Sequence, residues 1–163
     1  VRDGIKLARK HRLPVRLQAF ISEHHGKLRA SYQYKRALEA AGNKADLVDD
    51  ELFRYPGPIP QSRETALLML ADGCEARARA ELPKDDTALR DLVNKAIQRA
   101  IEEGQLINTA LTLKDLELIA ESFTNNLVGV YHPRVLYPTE RQKNAQVITN
   151  SLVERKPAKR KRK

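Results

Sequence analysis

Apolar residues recur along this chain at helical spacing, and no stretch alternates convincingly with the period of two that a half-buried strand needs. The clearest stripe is Leu89, Leu92, Val93, Ala96, Ile97, Ala100 and Ile101, which ends at Gly104. Val1 to Lys10 reads as a short helix stopped at Leu13-Pro14, because a residue before proline avoids the helical region. From Val15 onward, Leu17, Phe20, Ile21 and Leu28 fall on one face of one helix. Another covers Ala30 to Ala41 and ends at Gly42. Ser62 is a candidate N-cap for a helix holding Leu67, Met69, Leu70, Cys74 and Ala78, closed by Pro83. Asp85 and Asp86 place negative charge where the next helix starts. Thr112 and Asp115 make a capping-box-like start for a helix carrying Leu113, Leu116, Ile119, Phe123 and Leu127. His132-Pro133 is expected to break it, and Pro138 to Thr139 to open a last, weaker helix to about Leu152. There is no internal repeat. The pattern predicts an all-α single domain.

With 163 residues, the chain is long enough to bury roughly two-thirds of its unfolded surface without staples. Cys74 is the only cysteine, so a disulfide framework is excluded. No apolar run approaches the ~20 residues that span a bilayer, and no signal peptide precedes the first helix. Starting at Val1 inside a helix, the sequence is expected to be a piece of something longer. The net charge of +9 is concentrated at one end: residues 154–163 hold seven basic side chains against one acid, Glu154. A solvated tail over 154–163 is the simplest reading, with anionic lipid or nucleic acid as the alternative. The body is close to neutral for its size, and nucleic acid is not an expected partner.

Several residues could carry chemistry. Extending the Leu17, Phe20, Ile21 stripe by one turn reaches His24, which would face inward with His25 on the flank. The doublet could ligate metal or could be one buried and one exposed histidine. Asp72 falls in Leu68-Met69-Leu70-Ala71-Asp72-Gly73-Cys74, an apolar helix centre where a carboxylate needs a partner, such as a cation, Arg77 or Arg79. Glu64, Asp72 and Glu75 form an acidic line along the same helix. Asn43 to Gln61 is irregular, with three alternating prolines in Phe53-Arg54-Tyr55-Pro56-Gly57-Pro58-Ile59-Pro60. Arg54, on that stiff loop ahead of a helix N-terminus, could grip a phosphate, or the loop could be a plain connection. Tyr32, Tyr34 and Tyr131 could stack on a base or simply pack. His11 and His132 flank helix ends, and Cys74 reads as core.

Taken in order, these segments resemble a known family. They are Val1-Arg2-Asp3-Gly4-Ile5, Leu13-Pro14, Ile21-Ser22-Glu23-His24-His25-Gly26, Phe53 to Glu64, Leu70-Ala71-Asp72-Gly73-Cys74-Glu75-Ala76, Gly104-Gln105-Leu106, Leu111 to Leu116 and Tyr131-His132-Pro133-Arg134. The chain resembles the HD-domain phosphohydrolases attached to a seven-transmembrane receptor-like region, membrane-anchored bacterial cyclic di-AMP phosphodiesterases. The resemblance covers residues 1–138, read as the C-terminal part of an HD domain, with 139–153 as a final helix and 154–163 as the tail. It implies a helical bundle lacking its N-terminal helices, and a reaction that opens cyclic di-AMP to the linear dinucleotide.

That resemblance also implies two divalent metal ions, iron or manganese, held by a His, a His-Asp doublet, a further His, a His-His pair and a final Asp. By position, His24 and His25 match the pair and Asp72 the final Asp. Arg54, Gln61, Tyr34 and Arg134 are the implied substrate contacts. The implied partners are the cyclic dinucleotide and upstream sensor and transmembrane regions of the same polypeptide, with this domain on the cytoplasmic side of the inner membrane. No His-Asp dipeptide occurs in the chain, and Lys27 stands where the family usually has a small hydroxyl residue. His24, His25 and Asp72 are therefore expected to converge across the 47 positions separating His25 from Asp72, and the chain alone is expected not to catalyse.

Overall fold

Three long helices carry the apolar stripes, and their starts are fixed by side chains that satisfy the otherwise unpaired amides of a first turn. The computed structural model describes residues 1–131, and these are all-α. Helices α1 (Arg2–Lys10), α2 (Val15–Glu23) and α3 (Ser31–Ala40) precede α4 (Arg63–Glu81), α5 (Asp86–Glu102) and α6 (Leu113–Tyr131). Ser62 Oγ accepts from the Thr65 amide at 3.2 Å, and Asp85 Oδ1 accepts from the Ala88 amide at 2.8 Å. At α6 the box closes in both directions: the Thr112 amide donates to Asp115 Oδ2 at 2.9 Å, and the Asp115 amide donates to Thr112 Oγ1 at 3.1 Å. Helix α4 stops at Leu82, which takes a left-handed conformation (φ 47°) just before Pro83.

The core lies between α4, α5 and α6. Met69, Leu70, Cys74 and Ala78 from α4 meet Leu89, Leu92, Val93, Ile97 and Ala100 from α5, closed by Ile119, Ala120 and Leu127 of α6. Burial of each large aliphatic side chain contributes about 1.5–3 kcal/mol, which is why these three elements dominate. The N-terminal helices bury far less: Ala8 in α1, Glu23 in α2 and no residue of α3. Leu7, Val15 and Leu17 stay exposed. Among the described residues no helix is long and apolar enough to cross a membrane.

Two local differences from the sequence reading matter for the site. Helix α2 ends at Glu23, so Leu28 does not continue its face; His24 is the C-cap and the chain turns through Gly26 at φ +53°. Asn43 to Gln61 is irregular apart from two short 3₁₀ turns, Ala45–Leu47 and Asp50–Phe53. Its end pairs with the segment after the turn through one isolated bridge, Arg29 to Arg54. There the Ala30 amide donates to the Phe53 carbonyl at 2.8 Å and the Tyr55 amide to that of Leu28 at 3.0 Å. The helix break at His132-Pro133, the final helix to Leu152, Arg134 and the 154–163 tail lie outside the described residues.

Candidate active site

Because α2 stops at Glu23, the two histidines sit on a turn rather than a quarter-turn apart around a helix, and their ring centroids are 4.0 Å apart. Both are half-buried, so the expected division into an inward and a flanking ring does not hold. His24 Nδ1 lies 3.0 Å from the Ile21 carbonyl and 3.2 Å from that of Phe20. Carbonyl oxygens only accept, so Nδ1 carries a proton, and in the neutral ring Nε2 is the nitrogen that keeps a lone pair. His25 Nδ1 stands 3.4 Å from Asp72 Oδ2, and the ring stacks on Tyr55 with centroids 4.2 Å apart and planes 24° from parallel. Burial lowers the pKa of His25, the neighbouring His24 lowers it further, and Asp72 opposes both. The neutral form of imidazole, which ligates metal, is thereby favoured.

Asp72 is not sealed in the apolar centre of α4. Its side chain is 44% exposed and it meets His25 rather than Arg77 or Arg79. Arg79 pairs with Glu75 at 3.2 Å and Arg16 with Glu64 at 2.8 Å, so the acidic line is divided among separate partners. His25, Tyr55 and Asp72 line a cavity of about 780 Å³ whose wall also carries Arg29, Arg77 and Arg99. That volume lies in the range of small-molecule sites, and the basic wall suits an anionic ligand.

The remaining candidates stand elsewhere. Arg54 does not line this cavity. Its Nε donates to Asp50 Oδ2 at 2.8 Å, and one terminal nitrogen donates to Glu103 Oε2 at 3.1 Å and to the Lys27 carbonyl at 3.2 Å. Arg29 donates to the other oxygen of Asp50 at 2.6 Å, and Arg99 to Glu103 at 2.6 Å. In this structure Arg54 is held in a clasp between carboxylates, which keeps Asp50 below the usual range, first through the Arg29 hydrogen bond. Tyr34 packs edge-on to Phe53 at 5.7 Å beneath the Arg29 guanidinium at 4.1 Å, outside the cavity. The Gln61 side chain donates to the Ile59 carbonyl and accepts from Asn108, also away from it.

Two buried polar residues escaped sequence reasoning. Glu23, 6% exposed, accepts the Gln61 amide at 2.8 Å, and Gln105, 2% exposed, accepts the Lys27 amide at 2.8 Å. Both stood inside the segments of the resemblance, yet nothing in their local pattern marked them as buried.

As donors, the three candidates suit divalent cations: neutral imidazole nitrogen and carboxylate oxygen are ligands for iron and manganese. Their number falls short. Among the described residues no three His, Cys, Asp or Glu side chains are grouped so as to hold a metal ion.

No family model matches the chain. An uncharacterized protein of Synechocystis is 38% identical over 139 residues, covering 85% of this chain and 17% of the relative. The cyclic-di-AMP phosphodiesterase PgpH of Bacillus subtilis is 34% identical over 141 residues, covering 86% of this chain and 19% of the relative. The chain therefore spans under a fifth of the length of these curated relatives. The solved HD domain of Listeria monocytogenes PgpH in complex with cyclic-di-AMP superposes with a TM-score of 0.73 at 25% identity, over 83% of this chain and 62% of that one. A second structure of that domain gives a TM-score of 0.70 at 24% identity. By sequence and by fold, this chain is a homologue of the HD domain of the cyclic-di-AMP phosphodiesterases PgpH, and spans part of that domain.

Proposed function

We propose that the chain is part of a metal-dependent phosphodiesterase domain that hydrolyses cyclic di-AMP to its linear dinucleotide. One observation carries the reading: His25 and Asp72, from separate elements, meet within 3.4 Å on the wall of a basic cavity. The likeness to PgpH supports the choice of a cyclic dinucleotide, since that HD domain was solved with cyclic-di-AMP.

In this proposal His24, His25 and Asp72 contribute ligands to two divalent ions, iron or manganese, and the remaining ligands come from outside this chain. Such ions, when bound, supply Lewis-acid activation of water and neutralise phosphate charge. The chain's own residues do the rest. Tyr55 holds the His25 ring face-on, the Phe20 and Ile21 carbonyls fix the His24 tautomer, and Arg77 supplies positive charge along the wall beside the paired Arg29 and Arg99. The family resemblance extends the proposal to a cytoplasmic domain on a membrane-anchored polypeptide.

The test is cyclic di-AMP cleavage by the whole encoded polypeptide with manganese or ferrous iron. Asp72→Asn and His25→Ala should each lower turnover about a hundredfold or more, the usual effect of losing a metal ligand or its support. Unchanged turnover in both would overturn the reading. The absence of any three grouped donors among the described residues favours a second reading, a catalytically silent helical module. Turnover by the whole polypeptide would exclude it.

A further inference from the structure

A buried amide behind the histidine turn has no part in the chemistry proposed above. Gln105 follows α5, directly after Gly104, and is 2% exposed. Its Oε1 accepts the Lys27 amide at 2.8 Å, linking positions 78 apart, while its Nε2 donates to the Glu103 carbonyl at 2.8 Å. Rotating the amide would set NH₂ against an N–H and oxygen against a carbonyl, so the observed orientation is the one that satisfies both ends. The turn is shaped to receive this side chain. Gly26 is buried at φ +53°, and a Cβ there would collide with Gln105 Oε1 and crowd Met69 Sδ. On the other side of the histidines, Glu23 is buried and takes the Gln61 amide at 2.8 Å. His24 and His25 thus stand between two buried polar anchors, Glu23 at the end of α2 and Gln105 just beyond the end of α5.

We propose that Gln105 is a positioning residue: through the Lys27 amide, and against the bare backbone of Gly26, it sets where the His24 and His25 imidazoles stand relative to Asp72. The inference rests on the reading of these three side chains as site residues. A side chain that only filled space would serve equally well as methionine, which keeps the length of glutamine and lacks a strong acceptor. With Gln105→Met, the Lys27 amide loses its partner beside a buried side chain, and the turn must open or shift to bring water to it.

The experiment uses nuclear magnetic resonance on the 163-residue chain, its Gln105→Met variant and a Gly26→Ala variant. Gly26→Ala approaches the same contact from the opposite side. In both variants the Lys27 amide should exchange about tenfold faster, as expected when one protecting hydrogen bond is lost. The His24 and His25 imidazole signals should move, while those of His11, exposed at the end of α1, should stay in place. Lys27 exchange and imidazole signals unchanged in Gln105→Met would overturn the proposal, because packing alone would then explain the residue. Manganese(II) titration gives a separate reading. In the unaltered chain it should broaden His24, His25 and Asp72 before His11, and Gln105→Met should need about fivefold more metal for equal broadening. Broadening with no preference in the unaltered chain would count against the metal reading, leaving the positioning role to be judged on the imidazole signals.

Discussion

Cys74 shows how burial alone sets the chemistry of a side chain. It is fully buried on α4, and that burial pushes its thiol up to about 11, against a small opposing influence from Arg77. The protonated thiol is a poor nucleophile. Cys74 should therefore escape iodoacetamide at pH 8 in the folded chain and react once urea is added; rapid modification of the native chain, seen as a mass increase, would contradict this. Arg54 is the opposite case, a charge defined by its partners. With Asp50 and Glu103 both holding the guanidinium, Arg54→Ala should lower the stability of the chain by about 1 kcal/mol, after discounting for partial exposure of the pair. A urea midpoint equal to that of the unaltered chain would show that the clasp contributes nothing. The sequence suggested a different role for Arg54 because its local surroundings, an aromatic, a glycine and prolines, resemble those of an anion-binding loop. Glu103, its partner in the clasp, lies 49 positions downstream, where no local reading reaches.

At the level of elements, caps were legible and helix length was not. Ser62 and the Thr112–Asp115 box are local patterns whose hydrogen bonds close within three residues, and both form; Asp85, read as helix-start charge, also caps α5. The end of α2 was misread because Glu23, His24 and His25 continue the helical spacing, while the turn that follows is met by Gln105, 78 positions beyond the Lys27 amide it accepts. The α6 box also makes the chain sensitive to acid. Hydrogen bonds from Thr112, and then the Arg63 guanidinium, hold the Asp115 carboxyl below its ordinary value of 3.8. A carboxyl lowered on folding stabilises the native state above its unfolded value, and this stabilisation is lost as pH falls through the folded one. Asp115→Asn should accordingly lower the denaturation midpoint at pH 6, with the gap to the unaltered chain narrowing toward pH 3. A gap that stayed constant over that interval would assign the loss to the cap hydrogen bonds and not to the charge.

For the whole molecule, the all-α architecture followed from three stripes of aliphatic residues, and the core is built from those stripes. The candidate residues were legible for a different reason: His24-His25 and Asp72 stood out as chemistry-bearing residues in segments that resemble a family, whereas the clasp and the two buried anchors are products of tertiary packing. The isolated 163-residue chain should give no linear dinucleotide from cyclic di-AMP, even with excess manganese or ferrous iron. Three candidate donors are too few to retain two cations in water. Turnover equal to that of the whole polypeptide would mean the site lies elsewhere. A last consequence follows from where the pair is anchored. Asp72 belongs to the dense α4–α6 body, while His25 follows a layer whose three helices bury only Ala8 and Glu23, its turn tied to the body through the Gln105 contact. Were that layer to lift, the two side chains would part while the α4–α6 core kept its own contacts. Such lifting therefore takes less free energy than melting the whole molecule. On heating, the His25–Asp72 contact should vanish before the helical circular dichroism does, so the working life of the site is shorter than that of the fold.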